Sequence, residues 1–483
     1  MKKHILTLLL AALLTLSAVS CGSGTDTETA AQNNSNVETA ADVSAEIPDV
    51  EPLPVVSLDG TTVDVLIRTE LAYEFISDEG GADTLVSEAI HQRNLVIEDT
   101  YDTRLNFIAT PGDWSNQDNF RNTISNSVLS GDGAYDFIAG YQAIIVHNVT
   151  AGDLMDLNTL PYLELQKPWW IQKGVEALTV NDRCYIATGD ITVSMLEYLY
   201  CMYYNKTLAA NYQVENLYDL VDAGQWTHDK LAEICAGTAQ DTDGDGSMTE
   251  ADQFSIITGG DLLRQFLVAY DTPVMAQTAS GKPELVWYNE RTVSAVEKLV
   301  SFYAQNADAF VISDRNKIAS MFMNDQALFI QGLFGQAAAL RDMTSDFGIL
   351  PYPKFDEIQP EYLTSTNNNV SMICVPKTCE DPENTALIIE AMCRESTDTV
   401  SAAFYDLALK SKYSRDEDTA RMIDLIRGSL SFDFGWVNSV VLNLGNSYQM
   451  FVDENNTDFV SYYMSREQEY TANMDKILAP YFD

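Results

Sequence analysis

From Thr61 onward, short β-branched runs alternate with helix-forming stretches. Residues 61–68 predict a strand, 82–101 a helix, 104–109 a second strand, 119–129 a helix, and 135–139 a third strand leading into a loop at Gly140-Tyr141. This alternation favours a mainly parallel sheet with ligands at the C-terminal strand ends. After a strand over 184–187, closed by Gly189-Asp190, a second α/β set begins with a strand over 196–204. In it, Thr227 reads as the N-cap of a helix over 231–236, since its hydroxyl can accept a free first-turn N–H. Residues 291–306, 315–323 and 382–393 predict helices, and 347–351 and 370–375 predict strands. The full 483 residues exceed what one hydrophobic core organises, so two α/β lobes are expected.

Apolar residues make up 46% of the chain, which supports folded cores rather than disorder. The 71 Asp and Glu stand against 28 Lys and Arg, a net charge of −43. That surface repels phosphate backbones and anionic headgroups, so nucleic acid is excluded as a partner and neutral, cationic or metal ligands remain.

Lys2 and Lys3 precede an apolar run from Ile5 to Leu16, too short to span a bilayer, and small residues lead to Cys21. The segment resembles a bacterial lipoprotein signal over 1–20, with Cys21 as the lipidated first residue of the mature chain, although Ala18 replaces the more usual Leu. Residues 21–57 are rich in Thr, Ser, Ala, Asn and Glu and end among Pro48, Pro52 and Pro54, a composition expected of a disordered tether. The other six cysteines contain no C-x-x-C. Cys374 and Cys379 are close enough in sequence to pair, but buried free thiols are the adopted reading.

One local motif has metal-ligand spacing. Asp241, Asp243 and Asp245 stand at positions 1, 3 and 5 of a calcium loop, Gly246 at the sharp turn, Ser247 and Thr249 at positions 7 and 9, and Asp252 at position 12. An oxygen-only set predicts structural Ca²⁺; Asp in place of Glu at the last position weakens closure, and the bland reading is an exposed acidic turn.

Catalytic patterns are missing: there is no G-x-S-x-G, H-E-x-x-H, Walker or dinucleotide fingerprint. Among 71 acids two carboxylates could still form a glycosidase site, but binding without chemistry is expected. Aromatics gather at strand ends and loops: Tyr73, Tyr141, Tyr198, Phe334 and Trp436. Aromatic faces stack on pyranose C–H faces while carboxylates and amides take the hydroxyls, a mixture that suits a neutral sugar; core packing is the alternative for each. In Pro168-Trp169-Trp170, at least one indole is expected in the core.

An ordered set of segments resembles the extracellular solute-binding proteins, family 1, of bacterial ABC importers. It comprises the lipoprotein start, Tyr135-Asp136, Gly152 to Leu157, Pro168-Trp-Trp170, Gly189-Asp190, Tyr204-Asn-Lys206, Gln225-Trp-Thr227, Asp325 to Phe329, Phe347 to Lys354 and Val375-Pro376. The resemblance implies a periplasmic-binding-protein-like fold: two α/β lobes with discontinuous chain crossings and an interlobe cleft that closes on a carbohydrate, delivered to a membrane permease. It implies ligand contacts at Glu70, Tyr73, Tyr141, Asp190, Glu197, Tyr198, Phe334 and Trp436, the three carboxylates acting as hydroxyl acceptors. The lobes are expected at 58–190 with 349–400 and at 191–348 with 401–483. A lipid-anchored monomer on the outer face of the cytoplasmic membrane follows, with a peptide or other polar solute as the alternative ligand and a glycan-degrading enzyme as the alternative class.

Overall fold

The computed structural model describes residues 52–77, 84–278, 281–404 and 417–482. The expected leader, Cys21 and most of the expected tether lie outside the described residues. Leu53–Asp483 form one compact unit.

The alternation yields two sheets. In the first, β1 (Thr61–Arg68) is flanked in parallel by β2 (Thr103–Thr110) and β3 (Phe137–Tyr141). Val63, Val65, Leu66 and Ile67 of β1 are all buried, as a strand covered on both faces requires. Helices α1 (Thr84–Tyr101), α2 (Gln117–Ser130) and α3 (Gln142–Ala151) connect these strands or follow them. The second sheet contains β4 (Tyr200–Asn205), β5 (Phe254–Thr258), β8 (Ala309–Val311), β9 (Ala327–Leu333) and β10 (Phe347–Leu350) in the order β10-β4-β9-β5-β8. A hairpin of β6 (Met275–Gln277) and β7 (Pro283–Leu285) stands apart.

Strands that carry the chain back from the opposite lobe pair antiparallel. β11 (Ser371–Cys374) adds to β3 in this sense, β4 pairs so with β9, and β10 with β4. Each sheet is therefore parallel except for one strand, β11 at the edge of the first and β4 inside the second, between β10 and β9, a mixed arrangement common in α/β folds.

Two expected boundaries move. The expected lobe break at 349 cuts through β10, which belongs wholly to the second sheet. The return crossing lies later: Leu199 bridges Thr366, and Thr364 bridges Leu430, which brings the crossing segments side by side. Helix α4 (Pro382–Ser396) then packs on α1 of the first lobe. The C-terminal helix α5 (Phe459–Phe482), expected in the second lobe alone, serves both. Phe459, Tyr463 and Tyr470 surround Trp287, while Tyr481 meets Tyr185 edge-on at 5.0 Å and its carbonyl accepts from Asn181 at 2.7 Å.

Cys184, Cys201, Cys235, Cys374, Cys379 and Cys393 are free and buried, as the sparse spacing predicts. No helix among the described residues is long and apolar enough to cross a membrane.

Candidate functional site

The C-terminal ends of β1 and β3 meet the crossing segments and the loop after β5, and polar side chains converge there. Arg68, the last residue of β1, is 1% exposed. Its two Nη atoms donate to the Oδ1 and carbonyl of Asn369 at 2.7 and 2.8 Å, and its guanidinium lies 4.8 Å from the ring centre of Tyr141 at the end of β3. The Arg68 stem reaches this position because residue 112 is glycine; a Cβ there would lie 2.8 Å from the Arg68 Cγ. Burial lowers the Arg68 pKa, and the charge of Glu74 opposes that shift.

The turn after β1 ties the lobes together. Glu74, fully buried, accepts from the Ser194 N–H at 2.7 Å and the Ser371 hydroxyl at 2.5 Å, one on each side of the crossing region. Tyr73 donates its hydroxyl to Glu197, which burial pushes up to about 7. The neighbouring Tyr198 is half-buried, its carbonyl accepting from the Asn367 N–H at 2.9 Å. Glu70 accepts from the Gly112 N–H at 3.1 Å.

From the second lobe, Asp261 enters after β5. Gly259 makes the turn possible: its φ is +148°, and a Cβ would lie 1.9 Å from the carbonyl oxygen of Ile312. Asp261 accepts from Arg315 and from the Asn367 side chain. Burial pushes its pKa up, and the charges and hydrogen bonds of Arg315, Arg264 and Asn367 together outweigh burial and hold it below the usual carboxylate value. Arg264 stands one helical turn further on. The phenol of Tyr141 is raised by burial and pulled down by Arg68 and Arg264, which places both cations near it.

Of the expected ligand contacts, Glu70, Tyr73, Tyr141, Glu197 and Tyr198 are brought to this region, Tyr141 as a buried ring of the apolar core that lies against Arg68. Three are not offered to a ligand here. Asp190 is 8% exposed, and its carboxylate accepts from Thr397 at 2.8 Å and Ser401 at 2.9 Å, so it fastens the crossing to the end of α4. Phe334 is 0% exposed and Trp436 4%, both within the continuous apolar core. Sequence reasoning missed Arg68, Asp261, Arg264, Arg315, Asn367 and Asn369. Two signals were present: Gly259-Gly-Asp261 after a strand repeats the Gly189-Asp190 pattern, and Asn367-Asn-Asn369 is a polar run before an apolar strand.

The acidic loop lies elsewhere, closed by the Gln240–Gln253 bridge. Asp241, Asp243 and Asp252 each offer an oxygen within 4.8 Å of the others. Asp252 is buried and accepts from the Thr242 and Thr249 N–H groups at 2.8 and 2.7 Å. Asp245 stands outside that trio, accepting from the Ser247 N–H at 2.7 Å. A separate cavity of about 1020 Å³, lined by Lys173, Asp271, Phe432 and Asp433 among others, shares no residue with the polar convergence described above.

Two α/β sheets, crossing segments between them and polar groups at their facing strand ends define a two-lobed binding protein of the periplasmic-binding-protein type. Residues 115–407 match the bacterial extracellular solute-binding proteins, and the chain belongs to that family. No curated protein matches the chain in sequence. Among solved structures, UgpB from Mycobacterium tuberculosis in complex with glycerophosphocholine is similar at a TM-score of 0.56 and 14% identity, covering 86% of this chain and 99% of that one. The ABC substrate-binding protein Lmo0181 from Listeria monocytogenes in complex with cycloalternan is similar at 0.52 and 14%, covering 87% and 98%. The GacH receptor of Streptomyces glaucescens, solved unliganded and with acarbose, is similar at 0.51 and 12%, covering 88% and 99%. At such identities the likeness is one of fold.

Proposed function

We propose that this protein captures a carbohydrate, an oligosaccharide by preference, in the cleft between its lobes and delivers it to the permease of an ABC importer, without chemistry on the ligand. One observation carries the reading: Tyr73 and the half-buried Tyr198 stand at the same strand ends as Glu70, Glu197, Asp261, Asn367 and Asn369, combining ring faces with hydroxyl partners. The glycan-bound neighbours support it. Closure of the lobes on the ligand would present the form the permease recognises.

The same reading places the protein outside the cell, held by a lipid on Cys21, and working as a monomer with a structural Ca²⁺ in the loop from Asp241 to Asp252. The decisive experiment is a thermal-shift screen against glycans, with the bound fraction recovered and sized. A glycan at a hundredfold over its Kd raises native stability by about 2.7 kcal/mol. Recovery of the glycan unshortened is the expected result. Shortened products would make the protein an enzyme, and stabilisation by peptides alone would make it a peptide receptor.

A further inference from the structure

Three arginines enter the cleft of a chain in which acids outnumber Lys and Arg by 71 to 28, and they are not equally matched. Arg315 is paired with Asp261. Arg68 gives both Nη atoms to Asn369 but has no carboxylate within ion-pair distance among the described residues, and its buried Nε has no partner. Arg264 forms no side-chain hydrogen bond or ion pair among the described residues, and its Nε is also buried without a partner. Unpaired buried donors on a cation are costly, more so than on a neutral group.

The nearby carboxylates are already engaged. Glu74 accepts from Ser194 and Ser371, Glu70 from the Gly112 N–H, Glu197 from Tyr73, and Asp261 from Arg315 and Asn367. The negative surface of the whole chain does not replace them, because salt screens exposed charges beyond about 8 Å at physiological ionic strength. What is left is guanidinium hydrogen-bonding capacity on two elements that one polar chain joins: Arg68 of β1 donates to Asn369, the Asn369 N–H donates to Asn367, Asn367 donates to Asp261, and Arg264 lies one turn after Asp261. A guanidinium fork matches a planar carboxylate or a phosphate in two parallel hydrogen bonds.

We propose that the cleft is built for a carbohydrate bearing an anionic group, a carboxylate or a phosphate ester, held between Arg68 and Arg264. This narrows the neutral sugar expected from composition, and it rests on the carbohydrate reading above. Because the two arginines belong to different lobes, the ligand's charge would favour the closed arrangement directly.

The test is calorimetric titration of the full chain with oligogalacturonates, their carboxyl-reduced neutral counterparts, hexose phosphates and inorganic phosphate, repeated on Arg264→Gln and Arg264→Lys. Arg264 is the partly exposed member, so its replacement spares the buried Arg68. The expected result is a preference of at least about tenfold for one anionic sugar over its neutral counterpart, worth about 1.4 kcal/mol. That preference should fall below about threefold in Arg264→Gln and be partly restored in Arg264→Lys. The uronate and phosphate arms decide which anion it is. Equal affinity for neutral and anionic sugars, or a preference untouched in Arg264→Gln, overturns this inference and leaves the carbohydrate reading standing. Binding of inorganic phosphate that depends on Arg264, with no sugar bound, keeps the anion site and overturns the carbohydrate reading.

Discussion

The molecule buries charge in different ways, as the surroundings of Glu390 and of the cleft arginines show. Beneath the first lobe, Glu390 of α4 accepts from the indole N–H of Trp169 at 2.8 Å, from that of Trp170 at 2.9 Å, and from the Glu164 N–H at 3.2 Å. Burial raises its pKa and these donors hold it down. In the cleft, Arg68 and Arg264 retain buried Nε atoms with no partner. A saturated buried charge works for the fold, because its cost is met inside the chain; an unsaturated one implies a partner from outside. The tandem tryptophans follow the same logic: both are buried, and one carboxylate holds both.

The sharpest way to break this division is at Phe334, which sequence resemblance assigns to the ligand and the structure assigns to the core. Phe334→Ala should cost about 4 kcal/mol of unfolding free energy, the scale of a fully buried Phe truncated to Ala. Chemical denaturation without ligand reads it. Unchanged stability with lost glycan binding would return Phe334 to the cleft and show that the lobes open at that point. Next in size is Glu390→Leu, which strands two buried indole donors and a backbone N–H; it should cost about 3 kcal/mol. Sugar affinity of the folded fraction should stay as in the parent. Lost affinity at unchanged stability would join Glu390 to the site and erase the contrast.

The same contrast explains what was legible in sequence. Local patterns transferred well: the helix expected at 315–323 is Arg315–Met323, and Thr227 does cap its helix, accepting from the Lys230 N–H. Failures came where the chain changes lobe. The strand expected at 184–187 survives only as the Ala187–Ile373 bridge, and the one expected from 196 opens with a helical turn, Ser194–Glu197, before β4 begins at Tyr200. An apolar run looks alike whether it stays in a sheet or leaves it. The site suffered most, because its contacts are non-local: Arg68 and Asn369 are separated by 301 positions and Asn367 and Asp261 by 106. Nothing in the spacing of either residue reveals its partner. The aromatic expectations erred in the opposite sense at Phe334 and Trp436, since the apolar character that suits stacking suits core packing equally.

The acidic loop offers a third kind of charge burial, in which the counter-charge would be an ion. Asp252 is buried while Asp241 and Asp243 are exposed. The Thr249 and Thr242 N–H groups hold the Asp252 carboxyl below its ordinary value. If Ca²⁺ fills the loop, chelation should remove about 2.7 kcal/mol when the ion was present at a hundredfold over its Kd. Differential scanning calorimetry with chelator and then excess calcium reads this. Asp241→Ala with Asp252→Asn should abolish the response and leave glycan binding in place. A melting temperature indifferent to chelator in the parent would make the loop an ordinary acidic turn.

The smallest expected effect lies at the Tyr73–Glu197 contact, where the two categories meet: the carboxylate is partnered, yet its burial still raises its pKa from 4.5 to about 7. A folded-state pKa above the unfolded one means that the native state binds the proton more tightly. The group's contribution to stability is therefore complete below about pH 4.5 and is lost as the pH rises through about 7. Glu197→Gln keeps an acceptor for Tyr73 and removes the titration. Because Glu197 is only partly buried, solvent screening leaves about 1.5 kcal/mol of the effect. The stability of the variant relative to the parent should rise by that amount between pH 4.5 and pH 8 and level off above it. Urea denaturation at a series of pH values measures it. A difference that stays flat across the range would mean that Glu197 is ionised throughout, with the cleft wet enough at that point to solvate it.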